Sequence, residues 1–385
     1  MSALTDSSLS SANRKLALAG QLAFLPTGVL TILLGPMLPI LSARWALNDR
    51  QAGYLFPTQF LAQLAGVQLS AFLLARVGFR PAFLAGLSLM ACGVSTVYVG
   101  APWLGFASVA VYGLGVGLII PTDNLLVAEI HPHSRASAVS VLNFFWGVGA
   151  VLCSLLVAWS NAHGLLTVFF GLVALSLLLT LVAVYNLPFP GAVKSDHTPV
   201  AWRKIWASPA AWLFAVVFFL YPGAETAVGG WIGSYASRMG MHGTSMASTM
   251  PAFFYVAMML GRGPGSLLLP RLPERRVLQV GYGLGAVGIG LLLWSSTVPG
   301  VIASALLVGL SFAALYPIAV ARLSHHYGIA ARSIGSVMFS LAAVGPAMIP
   351  WLVGVISNAT GNLRTGLLVP LVATVLLFFV HLTDW

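Results

Sequence analysis

The sequence is poor in charged residues. Only 7% of its 385 residues are charged and just 8 of them are acidic, whereas 59% are hydrophobic. The mean hydropathy is +0.94. A soluble globule of this composition would expose large apolar patches, so the composition excludes that class. The sequence predicts an integral membrane protein.

Cysteine is also scarce. Cys92 and Cys153 are the two cysteines, and each lies inside an apolar run, so no disulfide or metal framework follows. His131-Pro132-His133 lacks further ligands nearby. No Ser, His and acid arrangement and no phosphate-binding loop has supporting context. We therefore expect no enzyme activity, no cofactor and no bound metal.

Apolar runs of about 20 residues, the length that crosses a bilayer as a helix, recur along the whole chain. They are continuously apolar and do not alternate along a strand, which favours helices over a transmembrane barrel. We predict an all-α membrane protein with twelve transmembrane helices. Their spans are 18–42, 51–74, 81–100, 104–127, 136–159, 164–186, 210–237, 246–269, 277–295, 299–321, 333–356 and 364–382.

The basic residues predict the orientation in the membrane. The formal net charge is +10, and nearly all of the 18 Lys and Arg residues lie in short connections between the runs. With a cytoplasmic N-terminus, fourteen of the 18 fall on the inner side, and only Arg44, Arg50, Arg238 and Arg364 fall on the outer side. This is the positive-inside pattern. We expect an integral plasma (inner) membrane protein with both termini cytoplasmic and no nucleic-acid partner.

The two halves of the chain repeat each other when shifted by about 195 residues. Small, basic and proline residues then coincide. The matched pairs include Gly28 with Gly223, Arg80 with Arg275, Pro121 with Pro317 and Gly149 with Gly345. We predict two six-helix pseudo-repeats, at 1–187 and 209–385, joined by a cytoplasmic linker at 188–208.

A parallel repeat of six plus six helices resembles the major facilitator superfamily, whose halves rock about a central site. The loop Ala75-Arg76-Val77-Gly78-Phe79-Arg80 is similar to the superfamily signature Gly-x-x-x-Asp-Arg-x-Gly-Arg-Arg, without its Asp. The resemblance implies the major facilitator fold. It also implies a monomer that moves a small-molecule substrate across the lipid bilayer.

Four segments are similar to the fucose, galactose and glucose cation symporter family. They are Gly223-Ala224-Glu225 followed by Trp231 and Tyr235, Gly113-Leu114-Gly115 followed by Asn124, Asn143 to Ala150, and Gly309-Leu310 followed by Tyr316-Pro317. This resemblance implies sugar transport coupled to H⁺ or Na⁺. The family's fucose permeases use an acid in helix 1 and another four residues before the helix 4 Asn. Here helix 1 has no acid and Ile120 takes the second position, so Asp123 is a hypothetical replacement.

Glu225 is the first candidate coupling residue. It lies in an otherwise apolar segment, where a charge is costly and an acid normally has a function. Burial favours the protonated carboxyl, so Glu225 could bind and release a proton as access alternates. Pro222, Gly223, Gly229 and Gly230 predict a helix that breaks or bends there. The alternative is a structural carboxyl that is hydrogen-bonded to a neighbouring helix.

Asp123 is the second candidate coupling residue, with a structural ion pair to Arg262 or to a loop arginine as the open alternative. Glu129 lies at the cytoplasmic end of the fourth span, where it could clamp a loop arginine in a closed inner gate. The predicted gating residues are Glu129, Arg76, Arg80, Arg135 and Arg262.

A sugar site needs amide and hydroxyl groups together with aromatic faces. The predicted substrate-binding residues are Gln59, Gln63, Asn124, Asn143, Trp146, Trp231 and Tyr235. For Gln59, Gln63 and Asn143, an amide that bridges two helices is the alternative. We predict a cation-coupled transporter of a monosaccharide or similar polyhydroxylated solute. The alternatives are a proton-coupled exporter of amphipathic or drug-like compounds or lipids, and a non-transporting sensor on the same fold.

Overall fold

The structure is a computed structural model, and it describes residues 11–132, 134–191, 206–239, 244–268, 273–327 and 331–382. Every regular element within these ranges is a helix. Most of the predicted linker, including its charged residues Lys194, Asp196, Arg203 and Lys204, lies outside them.

Sixteen helices lie within the described ranges. They are α1 (Ser11–Ile32), α2 (Leu34–Trp45), α3 (Asp49–Gly53), α4 (Leu55–Arg76), α5 (Phe79–Thr96), α6 (Pro102–Ile130), α7 (Arg135–Ala162), α8 (Leu166–Val184), α9 (Pro209–Arg238), α10 (Thr244–Leu268), α11 (Glu274–Trp294), α12 (Val298–Phe312), α13 (Leu315–Tyr327), α14 (Ala331–Thr360), α15 (Leu363–Gly366) and α16 (Leu368–Val380). Eleven segments among them are long and apolar enough to cross a membrane, and α10 lies at the remaining predicted span. The predicted all-α membrane fold is confirmed.

Proline accounts for two breaks in the long helices. α1 ends at Ile32, because Pro36 has no N–H to donate to the Ile32 carbonyl and its ring crowds that oxygen. Pro317 has the same effect on Ala313, which with Ala314 separates α12 from α13.

The sequence allows a break or bend at Pro222, and the helix does not break there. α9 runs without interruption from Pro209 to Arg238, through Pro222 and the glycines that follow it. It packs against α10, α14 and α16. Tertiary packing supplies most of a helix's stability, so the helix tolerates the one hydrogen bond that Pro222 removes.

The chain divides by its contacts into two compact units. Unit 1 contains Met1–Leu34 and Thr58–Asp196, and unit 2 contains Gly35–Pro57 and His197–Trp385. The segment Gly35–Pro57, here called the strap, therefore packs with unit 2. Its two ends continue into unit 1 along the chain.

Close glycine contacts recur in the two units. In unit 1, α1 packs on α7 where Gly28 and Gly149 each face a backbone carbonyl oxygen of the other helix. In unit 2, α9 packs on α14 through Gly223 and Gly345 in the same way. A Cβ at any of these positions would overlap the facing helix. The repeat thus places glycine where backbones must approach closely.

Repeated arginines satisfy the ends of two helices. Arg80 Nη2 donates to the Tyr185 carbonyl oxygen at 2.5 Å, just beyond the end of α8. Its repeat equivalent Arg275 donates from Nη2 to the Leu382 carbonyl oxygen at 2.5 Å, just beyond the end of α16. A cation at a helix C-terminus satisfies a free carbonyl and interacts favourably with the helix dipole.

Three residues, here called the strap clamp, hold the strap within unit 2: Asp49, Arg238 and Ser357. Arg238 donates from Nη1 to Asp49 Oδ2 at 2.9 Å and also from Nη2 to Asp49 Oδ1, which makes a two-point ion pair. The Ser357 hydroxyl donates to the same Oδ2. Asn48 and Gln51 form a capping box that fixes Asp49 at the start of α3.

Further contacts bury the strap against unit 2. The rings of Phe56 and Trp231 lie with their centroids 6.2 Å apart. At the end of the strap that follows α1, the buried Ser248 hydroxyl donates to the Pro36 carbonyl oxygen at 2.8 Å. A side chain at position 248 is therefore covered while the strap is docked.

Substitution of the repeated glycines should destabilise the protein. In Gly149→Ala and Gly345→Ala, the new Cβ would overlap a backbone carbonyl oxygen of the packed helix. Overpacking of this kind costs about 1–3 kcal/mol, so we expect a melting temperature lower by about 3 °C or more. Tryptophan fluorescence of the purified protein on heating measures it. Gly290→Ala is the matched control, since its Cβ would have no neighbour within 4 Å; an equal loss there would contradict the packing argument.

Loss of the strap clamp should expose the surface beneath the strap. Ser248→Cys, in a background without Cys92 and Cys153, reports this through its labelling rate with a membrane-impermeant maleimide. Asp49→Asn removes a charge-assisted interaction, and we expect labelling about fivefold faster or more.

Two controls separate the clamp from general effects of charge. Arg50→Gln changes the exposed neighbouring residue and should leave the labelling rate unchanged. The exchange of charges in Asp49→Arg with Arg238→Asp should restore slow labelling. The same labelling rate in Asp49→Asn as in its parent would refute the clamp.

Candidate functional site

The predicted coupling residue Glu225 lies in the middle of α9 and is half-buried. Tyr221 lies one helical turn earlier on the same helix, so the two side chains share a face. The Tyr221 ring stacks on that of Tyr316 of α13, with the ring centroids 6.3 Å apart. Arg262 of α10 and Tyr221 donate to the adjacent carbonyl oxygens of Ala313 and Phe312. Glu225, Tyr221, Arg262 and Tyr316 are here called the acid cluster, and all belong to unit 2.

The acid cluster adjoins the break between α12 and α13. The Tyr221 hydroxyl donates to the Phe312 carbonyl oxygen at 3.0 Å. Arg262 Nε donates to the Ala313 carbonyl oxygen at 3.3 Å. Close packing makes the second contact possible, because a Cβ at Gly261 would lie 2.6 Å from the Ala313 Cβ. Arg262, predicted as a gating residue, thus lies at the helix break, next to the hydrogen bond that Tyr221 makes there.

In unit 1, Gln59 is the centre of a buried polar network. Its Nε2 donates to the Thr31 carbonyl oxygen at 2.9 Å, and its Oε1 accepts from the Tyr112 hydroxyl at 2.9 Å. The Gln59 side chain is fully buried. Trp146 Nε1 joins the network by donating to the Thr31 hydroxyl at 3.3 Å. This geometry favours the alternative in which Gln59 bridges helices.

The other predicted amides of unit 1 are more accessible. Asn143 is exposed, and its Nδ2 donates to Asn124 Oδ1 at 3.2 Å, so these two predicted residues are brought together. Trp146 lies one turn beyond Asn143 on α7 and is half-buried. Gln63 is half-buried, but its Oε1 atom is itself buried and has no hydrogen-bond partner among the described residues. Asn143 is therefore the most accessible of these amides, although its Nδ2 also donates to the Val139 carbonyl oxygen.

Asp123 of α6 is fully buried. Neither of its carboxylate oxygens has a hydrogen-bond partner within the part of the chain that the structure describes. α1 approaches closely here, since a Cβ at Gly20 would overlap the Asp123 carboxyl group. An unpaired charge at this position would be costly, so the surroundings favour the neutral acid over the ion pair considered above.

Two predicted aromatic residues of α9 are bound within unit 2. Trp231 is fully buried, and its Nε1 donates to the Pro350 carbonyl oxygen at 2.9 Å. The Tyr235 hydroxyl accepts from Arg364 Nε at 3.1 Å and lies 3.3 Å from the Leu293 carbonyl oxygen. Tyr235 also lines a cavity of about 500 Å³ near the end of α9. Trp231 and Tyr235 therefore contribute to packing and to this cavity rather than to the acid cluster.

The remaining predicted gating residues lie at helix ends of unit 1. Glu129 is exposed near the end of α6, and Arg135 is exposed at the start of α7. Arg76 lies with its guanidinium 5.3 Å from the Phe72 ring centroid, whereas Arg80 caps α8. Their role in a gate stays a prediction.

Three residues of these networks were not among the predicted site residues: Tyr221, Tyr112 and Thr31. Tyr221 precedes Glu225 by four residues, so helical spacing alone could have identified it. Tyr112 and Thr31 meet Gln59 from other helices, and no local pattern in the sequence signals such a contact. Among the residues that the structure describes, no group of three or more His, Cys, Asp or Glu side chains could hold a metal ion.

The amino-acid sequence has relatives along nearly its whole length. A 2-nitroimidazole transporter of Escherichia coli (strain K12) is 26% identical over 395 residues, which cover 93% of this chain and 92% of the relative. A glucose/galactose transporter of Brucella abortus biovar 1 (strain 9-941) is 25% identical over 378 residues, which cover 91% of this chain and 89% of the relative.

The fold is also that of a solved transporter. A crystal structure of the E. coli fucose:proton symporter, FucP, matches with a TM-score of 0.63 and 18% sequence identity, covering 98% of this chain and 100% of that chain. At this identity the likeness shows the fold alone. The sequence model of the Major Facilitator Superfamily matches residues 21–350. The protein therefore belongs to the Major Facilitator Superfamily and is a membrane transporter rather than an enzyme.

Proposed function

We propose that the protein is a secondary transporter that takes up a monosaccharide, or a similar polyhydroxylated solute, together with a proton. The acid cluster carries this proposal, because its half-buried carboxyl group lies one helical turn from Tyr221, which meets Arg262 at the α12–α13 break and stacks on Tyr316. The glucose/galactose transporter relative supports the class of solute.

The neighbouring cation favours a proton over Na⁺ as the coupling ion. Hard metal cations prefer a shell of oxygen ligands. The Arg262 guanidinium binds the carbonyl group next to the one that Tyr221 binds, and Tyr221 lies one helical turn from Glu225. The guanidinium would repel Na⁺. Proton binding only neutralises the carboxylate and needs no further ligands.

The solute would be bound in part by the amides of unit 1. Asn124 and Asn143 form one pair, and Trp146 offers an aromatic face. Gln63 has an unpartnered but buried Oε1 among the described residues, so it would take part only if its side chain turned towards the solute. Hydroxyl-rich solutes need such groups, which accept and donate in several directions. We assign Gln59 a supporting role, since both ends of its amide are already engaged.

Concentrative uptake tests the proposal. Purified protein in liposomes should accumulate labelled glucose, galactose or fucose when an inward proton gradient is imposed, and not under a sodium gradient alone. Glu225→Gln keeps the side-chain shape but cannot release a proton, so it should abolish accumulation while allowing exchange at equal concentrations.

The controls distinguish the alternatives. Glu274→Gln changes an exposed acid at the start of α11 and should leave uptake unchanged. Labelled 2-nitroimidazole tests transport of a drug-like compound. Its movement without any sugar uptake would overturn the proposed solute class. Full proton-driven uptake by Glu225→Gln would instead move the coupling role to Asp123, which Asp123→Asn then tests.

A further inference from the structure

The break between α12 and α13 leaves two backbone carbonyl groups in need of donors. Pro317 lies four residues after Ala313 and has no N–H, so the Ala313 carbonyl cannot form its helical hydrogen bond. Phe312 ends α12, and its side chain is fully buried. Buried carbonyl groups without a donor are costly, and within a membrane water does not replace the missing partner.

Side chains of two other helices supply these donors. Tyr221 of α9 donates its hydroxyl proton to the Phe312 oxygen, and Arg262 of α10 donates from Nε to the Ala313 oxygen. These two hydrogen bonds are here called the break caps. They join α9 and α10 to the break between α12 and α13, where the backbone lacks its own helical hydrogen bonds.

The donors of the break caps are also neighbours of Glu225. Glu225 lies one helical turn beyond Tyr221 on the same face of α9, and Arg262 donates to the carbonyl oxygen next to the one that Tyr221 binds. A tyrosine hydroxyl has a single proton, so Tyr221 cannot donate to Glu225 and to Phe312 at once. Hydrogen bonds to a carboxylate are stronger than those to a neutral carbonyl. An ionised Glu225 therefore competes strongly for both donors, whereas a protonated one competes only as a neutral acceptor.

We propose that Glu225 and the carbonyl oxygens of Phe312 and Ala313 compete for Tyr221 and Arg262, so that proton release from Glu225 uncaps the α12–α13 break. The inference rests on the proposed coupling role of Glu225 and specifies how its charge reaches the helices. Tyr221 and Arg262 act as positioning residues. The α12–α13 break thus changes its conformation with the charge of Glu225, and this change requires no contact with the solute.

Few other titratable groups surround this site. α12 and α16 contribute none, and the only one in the sequence of α14 is Arg332, whose side chain lies outside the described residues. α10 contributes Tyr255 in addition to Arg262. α11 contributes Tyr282, whose ring centroid lies 6.3 Å from that of Tyr221, and at its start Glu274, Arg275 and Arg276. The remaining groups of α13 are Tyr316, Arg322, His325, His326 and Tyr327. His326 and Tyr327 contact Phe214, three helical turns from Glu225.

Hydrogen–deuterium exchange over residues 310–320 tests the proposal in the full-length protein. Glu225→Gln and Glu225→Leu remove the competing charge without changing the sequence of this peptide. At pD 8 both should slow its exchange about fivefold relative to the wild type, the effect of retaining about one hydrogen bond. Tyr221→Phe and Arg262→Gln each remove a break cap and should speed it by a similar factor.

The decisive measurement combines these substitutions. With Tyr221→Phe and Arg262→Gln both present, Glu225→Gln should no longer alter exchange, because no shared donor remains. Tyr316→Phe is the matched control, because it removes a hydroxyl of the acid cluster but neither break cap. In this variant Glu225→Gln should still slow the exchange of residues 310–320. Equal exchange in the wild type and both Glu225 variants would overturn the proposal. An undiminished effect of Glu225→Gln in the doubly uncapped protein would also overturn it.

Hydrogen–deuterium exchange and solute uptake test the competition and the coupling role separately. Loss of proton-driven uptake in Glu225→Gln with unchanged exchange at residues 310–320 would refute the competition but keep Glu225 as the coupling residue. Altered exchange with full proton-driven uptake would refute the coupling role instead.

Discussion

A polar group inside the membrane must find its partner within the protein, and much of this structure follows from that constraint. Proline makes the constraint acute, because each proline within a helix leaves a carbonyl group without its helical donor. At Ala313 the missing donor is replaced by Arg262, which belongs to another helix. Where helices end at Tyr185 and Leu382, the repeated arginines supply the donor. Long donor side chains therefore link neighbouring helices at defined points.

The same constraint changes the meaning of residues that look suited to a sugar. Trp231 and Gln59 have the chemistry of solute-binding groups, yet each already has a partner in its own unit. Asn143 is different, because it is exposed and retains capacity after bonding to Asn124. Whether a side chain already has hydrogen-bond partners within the protein, more than its residue type, distinguishes supporting groups from groups that remain available to a solute.

The sequence was sufficient to predict the fold, since bilayer-length apolar runs and the internal repeat are carried by composition and spacing alone. It was insufficient at Pro222, where packing of α9 against its neighbours overrides the local tendency to break. Breaks occur instead at Pro36 and Pro317. The acid cluster was found only in part: Glu225 is conspicuous in an apolar segment, but the proximity of Arg262 depends on how α9 and α10 pack. Tertiary partners of this kind leave no periodic pattern in the chain.

The repeat separates what builds the fold from what the protein does with it. Gly28 and Gly223 are equivalent in the two units, and both allow close helix contact. The acids are not equivalent: an offset of 195 pairs Glu225 with Leu30, and an offset of 196 pairs Asp123 with Ala319. Asp123 is fully buried without a donor among the described residues, whereas Glu225 is half-buried and lies one helical turn from Tyr221. A carboxyl group can change its charge at low cost only where the surroundings stabilise both forms. The residues of the acid cluster are not duplicated by the repeat, so a difference in chemistry between the two units comes from the asymmetry of the chain and not from its shared architecture.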